Sequence, residues 1–80
     1  MPRAVQIDLD RPRHLRYDFN ALVDIEEAIG RPLTTMEGGL GGLRELRAVL
    51  WAGLKWEDRS LTLQRTGDLI QEYLERGGSQ

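Results

Sequence analysis

The stretch Leu43 to Asp58, LRELRAVLWAGLKWED, decides the fold. Leu43, Leu46, Leu50 and Leu54 recur at three- and four-residue steps. Val49 and Trp51 widen this stripe, and Arg44, Glu45 and Arg47 sit largely off it. The spacing predicts the central amphipathic helix of a small domain, over about 42–53. Gly53, free of the steric penalty at positive φ, predicts its end, with Leu54 folding back onto the previous turn as in a Schellman-type cap.

Upstream, Phe19, Leu22, Val23, Glu26 and Ile29 repeat at helical spacing, with Ile25 on the border. Asp18 or Asn20 can accept a bond from a first-turn N–H, and Gly30 followed by Pro32 closes the segment, which predicts a helix over about 20–29. Asp24, Glu26 and Glu27 form its polar side. Before it, Val5, Ile7 and Leu9 alternate with Ala4, Gln6 and Asp8, and then Leu15, Tyr17 and Phe19 with His14, Arg16 and Asp18. The polar break Asp10 to Arg13 offers Pro12 for the first central position of a turn. A β-hairpin over about 4–18 is predicted, its Val5, Ile7, Leu15 and Tyr17 face lying on helices, because an isolated hairpin is marginal in water.

Between the first two helices, Thr34 to Glu37 contains a Thr-x-x-Glu capping box, and Gly38, Gly39, Gly41 and Gly42 surround Leu40. A short helical turn followed by a mobile glycine link is predicted. A phosphate-cradling loop would need a preceding apolar strand and a Gly-Lys-Ser/Thr ending, and neither is present. Downstream, Thr62 suits an N-cap, and Leu63, Thr66, Leu69, Ile70, Tyr73 and Leu74 form the stripe of a helix over about 63–76. Glu72 and Arg76 are placed as a helix ion pair, Gly77 and Gly78 end the helix, and 77–80 is expected to be a flexible tail. The predicted fold class is α+β: one domain over 1–80, with an N-terminal β-hairpin packed on a small bundle of three main helices plus a short helical turn.

Leu, Ile, Val and Phe together make 21 of 80 residues, above the roughly 20% below which a charged chain tends to stay disordered. The formal net charge of −2 removes the general cationic field that a nucleic-acid binder uses, so no nucleic-acid partner is expected. With no cysteine there is no disulfide framework, thiolate nucleophile or cysteine-based zinc site. No apolar run approaches the roughly 20 residues of a membrane span, and MPRAVQIDLD lacks the apolar core of a signal peptide. A soluble protein made inside a cell is expected, with no membrane partner.

No enzyme constellation emerges. His14 lies on the predicted polar side of a strand near Arg13 and Arg16, while Ser60 and Ser79 fall in a loop and a tail. Glu26 and Glu27, adjacent on a helix, point about 100° apart, and Asp24 with Glu27 is a weak metal site without a further ligand. No cofactor, metal or catalytic residue is therefore expected. A helix-turn-helix reading fails in the last helix, where Arg65 and Arg76 face Asp68, Glu72 and Glu75. Trp51 follows the central stripe and reads as core. Trp56, in a charged loop, is either a lid over the helix junction or an exposed partner contact.

Phe19-Asn20-Ala21-Leu22, Glu26, Gly30, Leu50-Trp51-Ala52-Gly53-Leu54, and Leu61-Thr62 with Gly67, in this order and spacing, resemble the small tail-assembly proteins of long-tailed bacteriophages and related gene transfer agents. The resemblance covers about Val5 to Leu74. Arg59 departs from it where a proline is expected after Asp58, as do Gln64 and Arg65 where acidic residues usually open the last helix. The resemblance implies a non-enzymatic chaperone in the cytoplasm of a bacterial host. Such a protein coats the apolar helices of the tape-measure protein and recruits tail-tube subunits. A structural tail component and a small bacterial interaction adaptor are the alternatives, and a homo-oligomer stays open. Chemistry, rather than the resemblance, nominates the partner contacts: apolar Trp51, Leu54 and Trp56, with acidic Asp24 and Glu27 guiding a basic partner.

Overall fold

A two-stranded antiparallel hairpin, β1 (Val5–Asp8) and β2 (Pro12–Leu15), precedes three helices, α1 (Phe19–Ile29), α2 (Leu43–Leu54) and α3 (Leu63–Glu75). A 3-10 turn (Leu33–Met36) lies between α1 and α2 in the computed structural model, which describes residues 4–36 and 42–77. The architecture is α+β, with α2 at its centre, packed against α1, α3 and β2.

The hairpin is shorter than the alternation predicts, and its second strand starts earlier. Val5 pairs with Leu15, Gln6 with His14, Ile7 with Arg13 and Asp8 with Pro12, so Pro12 opens β2 instead of forming the turn. A proline is tolerated at the first position of a strand, where its missing N–H costs little. This register sets Arg13 opposite Ile7 and buries it to 5% exposure, although the sequence placed it in a polar break. The chain leaves the sheet at Arg16, whose N–H donates to the Gly53 carbonyl at 2.9 Å. Tyr17 and Phe19 therefore lie beyond the strand; Phe19 is the first residue of α1 and is 78% exposed.

Capping sets the helix starts as the sequence predicts. Asp18 accepts from the Ala21 N–H at 2.9 Å, and Thr62 Oγ1 from the Arg65 N–H at 3.0 Å. Gly30, at φ 76°, closes α1 by donating to the Glu26 carbonyl. Gly53 differs from expectation. It lies inside α2, which runs on to Leu54 with Lys55 as a right-handed cap. The 3-10 turn is held by Thr35, whose N–H and hydroxyl both donate to the Pro32 carbonyl. Glu37 of the predicted capping box and the glycines from Gly38 to Gly41 lie outside the described residues. Glu72 pairs with Arg65 at 3.5 Å, and Arg76, its predicted partner, donates to the Leu9 carbonyl and ties the end of α3 to the hairpin.

The buried faces are rotated from the stripes read in the sequence. In α1 the core residues are Ala21, Ile25 and Ile29, while Phe19 and Leu22 are exposed. In α2 they are Ala48, Ala52, Gly53 and Leu54, while Leu43 is exposed. Ala21, Ala48 and Ala52 cluster with Ile25 and Ile29, and their small side chains let the two helices approach closely. Leu54, Leu61 and Leu69 form a second cluster beneath Ile7, Leu9 and Leu15 of the hairpin. Trp51 packs against both clusters. Among the described residues, no helix is long and apolar enough to cross a membrane.

Candidate functional site

Two surface depressions flank α2, and they differ in chemistry. The first is a 430 Å³ cleft where the start of α1 meets the end of α2. Arg16, Lys55 and Arg59 supply cations to its wall, and Asp18 and Asp24 supply carboxylates. Both carboxylates are engaged. Asp18 caps α1, and Asp24 Oδ2 accepts from Lys55 Nζ at 2.8 Å, with that ammonium standing 4.6 Å from the centre of the Trp51 ring.

Trp56 walls the same cleft as one member of a clasp that holds the hairpin to the end of α2. Its Nε1 donates to the His14 carbonyl at 2.9 Å, and the Arg16 guanidinium lies 5.2 Å from its ring centre. Next to it, Glu57 accepts from the His14 N–H at 3.1 Å, and its second oxygen lies 3.0 Å from His14 Nδ1. The hydrogen bond from the His14 side chain is the leading reason that the Glu57 carboxyl titrates below its usual range. The His14 side chain, 40% exposed, is thus engaged with Glu57. Ser60 Oγ donates to Asp58 Oδ1 at 2.7 Å within the α2–α3 connection, and that bond is the first cause of a lowered Asp58 pKa. The His14 Nδ1 thus faces the Glu57 carboxylate, and the Ser60 hydroxyl faces that of Asp58. Among the described residues, no three His, Asp or Glu side chains converge to hold a metal ion.

The second depression is an apolar groove of 310 Å³ between α2 and α3. Leu43, Leu46, Ile70 and Leu74 provide its apolar lining, Gly67 opens space between the helices, and Arg44, Arg47 and Gln71 complete it. Leu43 is 82% and Leu74 62% exposed, so each presents much of an aliphatic side chain to solvent. All four aliphatic residues fall on the stripes that the sequence assigns to the core. The legible signal was length: the α3 stripe continues to Tyr73 and Leu74, a full turn beyond Leu69, the last fully buried residue.

The nominated contacts are thus scattered. Trp56 and Asp24 share the cleft. Trp51 is half-buried, with its Nε1 donating to the Leu61 carbonyl at 3.0 Å. Leu54, 1% exposed, is a core residue, and a partner reaching it would first have to part α2 from its neighbours. Glu27 is exposed on α1, whereas Asp24 is tied to Lys55, so the two do not act as one open acidic face.

No protein-family model, curated protein or solved structure matches the chain.

Proposed function

We propose that this chain is a non-enzymatic binding module that captures apolar helical segments. Its cellular role on this reading is that of a tail-assembly chaperone, acting in the bacterial cytoplasm on a tape-measure protein and on tail-tube subunits. The observation that carries the binding role is the α2–α3 groove, with Leu43 and Leu74 exposed at its mouth. Fully burying such a leucine is worth about 1.5–3 kcal/mol, and a groove of this kind accepts the apolar face of an amphipathic helix. The assignment to tail assembly is supported by the ordered motifs from Phe19 to Gly67.

Co-expression with the tape-measure protein of the same genome tests the reading. A soluble complex of defined mass, lost in a Leu43→Ser/Leu74→Ser variant that keeps its melting temperature, is the expected result. Assembly with tube subunits alone would favour a structural tail component. Failure to retain either partner would leave a small adaptor with some other client.

A further inference from the structure

We infer that the α2–α3 groove selects a partner helix whose apolar face is edged with acidic residues, its carboxylates pairing with Arg44 and Arg47. This rests on the reading of the groove as the capture site and specifies the chemistry of what it captures. Although the whole chain carries a net charge of −2, the charged residues lining the groove are both arginines. They stand three positions apart on α2, a spacing that places side chains on one helical face.

Arg44 and Arg47, like Arg16, have no carboxylate partner among the described residues, whereas three other arginines do. Arg13 is bound to Asp10, Arg31 to Glu45 and Arg65 to Glu72. Arg44 has a long 3.5 Å contact to the Ile29 carbonyl and no carboxylate partner among the described residues. Arg47 runs its aliphatic stem past Gly67, and its Nε is buried without a hydrogen-bond partner among the described residues. An arginine fork is shaped to take a carboxylate through two nitrogens. A guest helix whose leucines enter between Leu43, Leu46, Ile70 and Leu74 would bring an acidic edge to this pair. A basic edge would meet two like charges. The sequence suggested a basic partner guided by Asp24 and Glu27; the arginine-edged groove points to the opposite sign.

The test uses the full chain and two labelled synthetic helical peptides with identical leucine faces, one edged with glutamate and the other with lysine. Fluorescence anisotropy should show the acidic peptide binding roughly tenfold more tightly at low salt, with the difference shrinking as salt is added. Arg44→Gln/Arg47→Gln should abolish the preference while leaving the folded chain able to bind both peptides. Equal affinities, or a preference for the basic peptide, would overturn the acidic assignment and leave the apolar groove standing. If neither peptide binds, or if Leu43→Ser/Leu74→Ser binds the acidic one as tightly as the parent chain, the groove itself is lost as the capture site. A dimer by light scattering that the acidic peptide does not dissociate would assign the groove to a second copy of this chain and overturn the inference.

Discussion

The Tyr17 hydroxyl donates a 2.7 Å hydrogen bond to the Val49 carbonyl, which fastens the segment after β2 along the surface of α2. Burial pushes the Tyr17 phenol above its ordinary pKa, so the neutral, donating form is kept. The same ring lies over Gly53. A Cβ added there would be 2.5 Å from Tyr17 Cζ and 2.9 Å from Leu15 Cδ2. Gly53 is therefore required by close approach, at a helix position where glycine is intrinsically unfavourable.

Gly53→Ala is expected to destabilise the fold by about 2 kcal/mol, outweighing the helix-propensity gain of about 1 kcal/mol. Chemical denaturation measures this directly. In a double-mutant cycle with Tyr17→Ala, the combined loss should be smaller than the sum, because the closer clash disappears with the ring and only the end of the Leu15 side chain, at 2.9 Å, still has to shift. Strict additivity would place the cost elsewhere.

Gly67→Ala should behave in the opposite way. Its Cβ would meet Arg47 Cδ at 3.4 Å, the flexible stem of a long side chain that can give way. A gain of about 0.5–1 kcal/mol in unfolding free energy is expected from helix propensity. A loss of stability would show that Arg47 is held rigidly against α3.

The Arg13–Asp10 pair predicts an acid-sensitive fold. Arg13 Nε and Nη2 donate to the two Asp10 oxygens at 2.8 and 3.1 Å, and this hydrogen bonding holds the Asp10 carboxyl down at about 2. A carboxyl depressed in the folded state adds stability that is present above its ordinary value of 3.8 and is lost as the pH falls towards 2. After allowance for solvent screening, the effect is on the order of 1 kcal/mol. Asp10→Asn should lower stability at neutral pH and flatten the decline between those two values. An unchanged profile in that variant would show that other carboxylates govern acid unfolding.

Trp56→Ala should lower the melting temperature as well as alter the cleft. Trp56 is 38% exposed, yet it donates to the His14 carbonyl and stacks with Arg16, contacts together worth about 1–2 kcal/mol. Trp56→Phe keeps the aromatic face and should lose less. Equal melting temperatures for the two variants and the parent would reduce Trp56 to a surface residue.

Of the candidate surface, the sequence made Trp56 and Asp24 legible through residue type, and both line the cleft. It could not separate Leu54, which is buried, from Leu43 and Leu74, which are exposed, because all three occupy apolar stripes of the same period. A stripe wide enough to satisfy helical spacing can be rotated by a fraction of a turn, and the neighbouring element decides which edge is covered.

What the sequence determined by itself was the order and type of the elements and their local punctuation: the alternation of the hairpin, the Asp18 and Thr62 caps, and the left-handed stop at Gly30. These depend on hydrogen bonds and steric preferences among residues a few positions apart. The tertiary structure decided the rotation of each helix, the burial of Arg13 among Asp10, Asp58 and the hairpin, the place of Gly53 beneath Tyr17, and the arginine-edged groove between α2 and α3. Each of those arises where surfaces distant along the chain meet, and their fit is set by the shapes of both partners at once.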